Sequence, residues 1–358
     1  MSSIWVIIAF IFGFLIVFQI AKASEYVAIL KGEEKTRKES NRINGFLLLA
    51  FLVVGLFGVW WCNHTLKDRI LGEPASDHGE KVDTMLYITL AVTFFVFVLT
   101  QVALFWFSYK YQEKEGQKAY YYPHNNKLEL IWTVIPAIVL TVLVGFGLYY
   151  WYEITGEAPE GSQTVEVTGS QFKWEFRYPG NDGKLGKKYY KAINEQKNNP
   201  LGQIWEDPDN RDDVVGSQEM HIVVNKPVKF VIYAKDVIHD VGLSHFRLKM
   251  DAVPGMPTTL WFTPKFTTRE MKQKYGDDFE YEISCDQMCG RGHFSMRGVI
   301  IVESQAEYNV WLKKQTAQYA LAMAGTTSDP AVVPGTSGDS TRQLQGMPDT
   351  SANRTAKR

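Results

Sequence analysis

Cysteine is scarce: the 358 residues hold three, Cys62, Cys285 and Cys289. So few exclude a disulfide framework, and no Cys-x-x-Cys-His is present to attach a c-type haem. The two close thiols are spaced Cys-x3-Cys, which suits neither the Cys-x2-Cys zinc knuckle nor the Cys-x-x-Cys redox motif. Net charge is nearly absent, −1 from 38 Lys and Arg against 39 Asp and Glu. The total says nothing about partners; its distribution does, and no nucleic-acid partner is expected. Positive charge is missing from Met1-Ser2-Ser3, and the apolar run that follows, Ile4 to Ala21, is longer than the ~7–15 residues of a signal-peptide core. Ala21-Lys22-Ala23 resembles a small-residue cleavage site, but the segment reads as a retained helix. Long apolar runs are lacking after residue 153, and that asymmetry decides the class.

Before residue 153 there are four such runs: Ile4 to Ala21, Gly45 to Cys62, Met85 to Phe107 and Leu130 to Tyr152. Each is close to the roughly 20 residues that cross a bilayer as a helix. The stretch Lys22 to Asn44 carries Lys22, Lys31, Lys35, Arg37, Lys38 and Arg42, and the stretch after the third run carries Lys110, Lys114, Lys118 and Lys127. Both therefore lie inside, and the chain after the fourth run emerges outside. Trp60, Trp61, Trp106 and Tyr149 to Tyr152 gather at run ends as an interfacial belt does.

Past a Gly-Glu-Ala-Pro-Glu-Gly linker at 156 to 161 the period changes to two. Phe172, Trp174, Phe176 and Tyr178 share one face of a strand, and further short strands are predicted near 221–224 and 228–233. Together they imply a β-sandwich or small barrel. Residues 180 to 216 are polar and read as a solvated insert, 306 to 324 as a surface helix, and 325 to 358 as a disordered polar tail. The expected organisation is an N-terminal helix pair at 1–62, a transmembrane hairpin at 83–153, and an outer domain at 160–324.

Cys285, Cys289, His293 and Met296 put four soft or borderline donors within twelve residues, after the strand-like run Phe279 to Ile283. Thiolate, imidazole and thioether together select copper, and the lone Met argues against a structural zinc. Beside His293 the outer domain holds three further histidines, His221, His239 and His245. His239 and His245 follow the same strand, and chemistry alone does not choose between them; His221, inside an alternating strand, reads as packed or solvent-facing.

The string Cys285-x-Gln287-x-Cys289-Gly290-x-Gly292-His293-x-x-Met296 resembles the dinuclear copper A loop of subunit II of the haem-copper oxidases. The resemblance covers roughly residues 83 to 320. It implies a cupredoxin domain in which Cys285 and Cys289 bridge two copper ions, one His serves each copper, and Met296 and the Gln287 carbonyl complete the pair. It also selects His239, because Asp236-Val237-Ile238-His239 stands twelve residues before Asp251-Ala252-Val253-Pro254-Gly255, as in that family. Asn125 to Ala137 resembles the start of the second hairpin helix, where Glu129 takes the position at the entrance of the K proton channel of subunit I.

The function so implied is that of a cytochrome c oxidase in a bacterial inner membrane, with the copper domain on the periplasmic face. Electrons would come from cytochrome c or a haem c domain of another protein and pass to haem held in subunit I, for dioxygen reduction coupled to proton pumping. Two departures stand out. The family usually has Trp where this chain has Phe172, which leaves electron entry open between Phe172 and Trp174. It commonly has Glu where this chain has Gln287, and a neutral amide is the weaker oxygen donor, which leaves magnesium at the subunit I contact open. A quinol oxidase subunit lacks the copper ligands present here. The helices and the Glu129 motif count against a nitrous oxide reductase domain, and a membrane-tethered copper carrier would expose labile ligands.

Overall fold

In the computed structural model, which describes residues 2–70, 72–114 and 116–324, each predicted apolar run lies inside a longer helix. The helices are α1 (Ser2–Lys31), α2 (Glu33–Ile70), α3 (Asp77–Lys110) and α4 (Asn126–Ile154). All four are long and apolar enough to cross a membrane. The basic stretch expected as a loop between the first two is itself almost wholly helical, broken at Gly32, whose φ of 88° a side chain would strain. Lys, Arg and Glu are good helix formers, and pairs such as Lys22–Glu25 and Lys38–Glu34 bridge one turn, so the helical period runs on through polar sequence.

The described residues form two compact units, the larger comprising residues 2–176 and 216–309. It holds the four helices and most of two five-stranded sheets. The first sheet is ordered β3 (Val214–Ser217), β2 (Lys173–Tyr178), β1 (Gln163–Ser170), β5 (Val228–Ala234), β8 (Thr258–Phe262). The second is ordered β4 (Glu219–Val223), β10 (Arg297–Glu303), β9 (Tyr281–Cys285), β6 (His239–Leu243), β7 (Leu248–Ala252). The β1–β5 and β4–β10 pairings are parallel. Alternation along the strands supplies the core: Val228, Phe230 and Ile232 of β5 and Tyr281 and Ile283 of β9 are fully buried. The predicted aromatic stripe divides. Trp174, Phe176 and Tyr178 are buried, whereas Phe172 precedes the strand and is 37% exposed.

The segment before α3 ties the helices to this domain. Ser76 caps α3 by accepting from the Gly79 amide at 2.9 Å and donates to the Phe246 carbonyl at 2.7 Å. Asp83 of α3 accepts from Arg247 Nε at 2.9 Å, with both side chains nearly buried. Ser76→Ala removes a cap and leaves a buried carbonyl unpaired, so it is expected to cost about 2 kcal/mol, measurable as a fall in thermal stability.

The smaller unit comprises residues 177–215 and 310–324 of the described chain. The insert read as solvated is in fact packed, with short helical turns at Tyr190–Ala192, Glu195–Lys197 and Pro208–Asn210. Arg177 is fully buried there, donating to Asp213, to the Asn210 side chain at 2.7 Å and to the Gly186 carbonyl at 2.6 Å. Polar composition misleads here because most of the buried groups hydrogen-bond one another, as Arg177, Asn210 and Asp213 do. The single helix expected over 306–324 is two, α6 (Gln305–Lys314) and α7 (Gln318–Ala324). The polar tail at 325–358 lies outside the described residues.

Candidate metal centre

Cys285 ends β9, and the loop that follows returns to β10 through a helical turn at His293–Ser295. Residues four apart along this loop are brought face to face. The two sulfurs lie 3.7 Å apart as free thiols, both buried. His293 Nδ1 is 3.7 Å and Met296 Sδ 3.9 Å from Cys289 Sγ, and the Gln287 carbonyl is 3.2 Å from Cys285 Sγ. Four of these five residues project inward along the loop, and Gln287 contributes its backbone.

The sixth group comes from the neighbouring strand. β6 pairs antiparallel with β9, Val241 opposite Cys285, so His239 two residues earlier reaches the same end of the sheet. Its Nδ1 lies 3.8 Å from Cys285 Sγ, and the side chain is completely buried. His239, Cys285 and Cys289 form a cluster able to hold a metal ion. The alternative, His245, is turned away, ring to ring with Phe279 at 5.1 Å and Tyr281 at 5.5 Å. Burial holds the His245 ring below its ordinary pKa. His221 faces the Glu303 carboxylate at 2.9 Å.

Two residues that the sequence did not single out as participants hold this arrangement. Asp236 accepts from the Gln171 and Val237 amides, each at 2.7 Å, and faces His239 Nε2 at 2.8 Å. Burial raises the Asp236 carboxyl, but these hydrogen bonds outweigh it and hold the group below the ordinary carboxylate range. An ionised Asp236 on Nε2 fixes the ring so that Nδ1 is free for a metal. The signal was present in the Asp-Val-x-His string, where the Asp stands three residues before the ligand. Gln171 also donates from its side chain to the Cys289 carbonyl at 2.6 Å. Asp236→Asn is expected to weaken copper affinity by about 10–100-fold, read by titration with a copper chelator.

Of the remaining candidates, Trp174 is buried with its ring 6.0 Å from that of His239 in an edge-on arrangement. Phe172 lies against the loop at Gly292, where a Cβ would come within 2.5 Å of the phenyl ring, so only glycine fits beneath it. Glu129 is not at this site: it stands in the first turn of α4, its carboxylate facing the Asn125 amide at 3.4 Å.

The donor set fits copper. Burial, with Cys285 adjacent, pushes the Cys289 thiol up to about 11, so two thiolates at this depth need a cation between them. Two sulfurs, two imidazoles, a thioether and a carbonyl offer that cation soft and borderline ligands, and among the described residues no carboxylate joins the cluster.

The model for cytochrome c oxidase subunit II, transmembrane domain, matches residues 71–149, and the model for its periplasmic domain matches residues 163–304. Helices α1 and α2 precede the first matched residue. The alternative cytochrome c oxidase subunit 2 of Bradyrhizobium diazoefficiens is 32% identical over 293 residues, 80% of this chain and 95% of that protein. Cytochrome c oxidase subunit 2 of Cereibacter sphaeroides is 29% identical over 259 residues, 70% of this chain and 78% of that protein. Among solved structures, the periplasmic domain of subunit II of cytochrome oxidase from Bradyrhizobium japonicum aligns with 24% identity and a TM-score of 0.31, over 47% of this chain and 99% of that one.

Proposed function

The chain belongs to the cytochrome c oxidase subunit II family, with an added N-terminal helix pair, and from that premise we propose that it is the electron-entry subunit of a respiratory oxidase. Its outer domain accepts electrons singly from cytochrome c, or from a haem c domain of another protein, and relays them to haem in subunit I, where dioxygen is reduced to water and protons are pumped. The membrane is a bacterial inner membrane and the copper domain faces the periplasm.

The observation that carries this reading is the convergence of His239, Cys285, the Gln287 carbonyl, Cys289, His293 and Met296 on one buried point. Two copper ions held there would supply a one-electron couple shared across paired sulfurs. The protein's own part is to hold the ligands still. Asp236 locks the His239 ring, Gln171 ties the Cys289 carbonyl, and two β-strands anchor the loop ends, so little rearranges when charge arrives. A relay needs that rigidity, and a copper carrier would need the opposite.

Phe172, on the loop and partly exposed, is the proposed entry residue, with buried Trp174 behind it beside His239. Glu129 is proposed at the mouth of the K proton channel of subunit I. The Gln287 side chain is exposed and would be the donor for any magnesium at the subunit I contact. Exposed Asp277, Asp278 and Glu280 would steer a basic donor, whereas Glu282 and Asp286 are already paired with Arg297 at 3.1 Å and Lys249 at 3.7 Å. The association rate of cytochrome c is therefore expected to fall with ionic strength; a rate independent of salt would remove the steering role.

The decisive experiment is copper content and electron spin resonance of the purified complex. One unpaired electron split equally by two copper nuclei, with the pattern altered in His239→Asn, is the expected result. A single copper with an ordinary mononuclear pattern, unchanged by His239→Asn, would overturn the assignment.

A further inference from the structure

At the end of the helices remote from the copper domain, α2 and α3 flank an open pocket of about 420 Å³. It is lined by Arg42 and Phe46 of α2, by Tyr109 and Lys110 of α3, and by Gln112 and Lys114 just beyond. The volume falls in the ~300–1,000 Å³ range of small-molecule sites. The helices cross closely here: Gly45 is buried, and a Cβ on it would stand 3.2 Å from both Tyr109 and Gln112.

The charge of this cavity is unbalanced. Its one carboxylate, Glu113, is engaged by Arg37 at 3.2 Å. Arg42, Lys110 and Lys114 have no carboxylate partner among the described residues. All three are exposed, and Lys110 lies 5.4 Å over the Tyr111 ring. Lys110, in the last turn of α3, also offsets the negative end of that helix, which by itself would repel an anion. From the lining pair Phe46 and Tyr109, 5.2 Å apart, an aromatic seam continues along the same two helices toward the apolar spans, with Phe51 against Phe105 at 5.5 Å.

We infer that this cavity binds the phosphate of an anionic phospholipid, with Arg42, Lys110 and Lys114 on the headgroup and the acyl chains running along the α2/α3 aromatic seam. A free phosphate would use the cations but has no use for the seam, and a neutral lipid would use the seam but not the cations; the two features are adjacent only for a lipid that carries both. Arg42 and Phe46 lie before the first residue matched by the family model, so the added helix pair supplies two of the seven lining residues. The lipid would staple α2 to α3 at the inner surface.

The test uses the intact complex, stripped of lipid in mild detergent and titrated with phosphatidylglycerol, phosphatidylcholine or inorganic phosphate, with bound molecules counted by native mass spectrometry. Phosphatidylglycerol is expected to bind at least about tenfold more tightly than phosphatidylcholine and to resist displacement by phosphate. Arg42→Gln/Lys110→Gln/Lys114→Gln is expected to lose about tenfold or more in that affinity, while Lys110→Arg/Lys114→Arg retains it and copper content is unchanged in both. Equal binding of the two lipids, or undiminished binding by the triple variant, would overturn the inference. Displacement by inorganic phosphate would reduce the site to one for free anions and overturn the lipid assignment. Should the triple variant fail to assemble, the lipid comparison on the unaltered complex and the exposed single change Lys114→Gln decide the matter.

Discussion

Replacing Cys285 by Ser is expected to abolish copper binding in the outer domain and to lower cytochrome c-driven oxygen consumption by more than about 100-fold. Loss of a partner that merely orients a ligand costs about 10–100-fold in affinity. Cys285 is central in a stronger sense, because the second sulfur, His239 Nδ1 and the Gln287 carbonyl all lie within 3.8 Å of it. A hydroxyl is a hard donor that does not bridge soft ions, so the remaining groups have no common centre. The haem spectrum of the complex should be unchanged, since this chain's copper domain is held by its own two sheets and the Asp83–Arg247 tie. Metal analysis and oxygen uptake on the same preparation check the result. Copper content equal to that of the unaltered complex would place the metal elsewhere.

Removing the carboxylate of Asp213 is expected to be the most destabilising change outside the metal centre. Asp213→Ala leaves the Arg177 guanidinium buried without its counter-charge, which costs about 3–5 kcal/mol. Hydrogen exchange of the amides in 177–215 would read this as local opening. Burial, the larger influence, pushes the Asp213 carboxyl up from 3.8 to about 6, with Arg177 pulling the other way. Attraction within the pair therefore falls short of its desolvation, and Arg177→Met/Asp213→Leu is expected to recover most of the loss. The pH dependence follows. The carboxyl is more easily ionised when unfolded, so stability of this unit falls as pH rises from about 4 to about 6 and is level above, a slope the double variant should lack.

The metal loop and the strands that carry it were legible in the sequence because their signals are local. Donors at 285, 289, 293 and 296 lie within one turn-rich segment, and alternation along β5 and β9 reports the buried face of each strand without reference to any partner. The four membrane helices were legible for the same reason, since length and apolarity alone define them; their true ends were not, because helical hydrogen bonding continues through polar residues that no apolar run marks. The short helix α5 (Thr268–Tyr275), opened by a capping box between Thr267 and Glu270, was missed in a stretch that is almost wholly polar, with only Met271 and Tyr275 to mark one face.

Residue chemistry left the second histidine between two candidates, and the family resemblance favoured His239. In the structure it is strand register that brings a residue 46 positions before Cys285 to its side and turns His245 into an aromatic cluster instead. The role of Asp236, the separation of Phe172 from Trp174 and the burial of Arg177 with Asp213 are likewise outcomes of pairing between distant segments. By itself the sequence determined which residues carry soft or borderline metal donors and which segments are long and apolar enough to cross a membrane, because composition and period are properties of a short stretch. Only the tertiary structure decided which donors meet, which charges are buried and which cations remain unpaired, because those depend on register and burial between elements far apart in the chain.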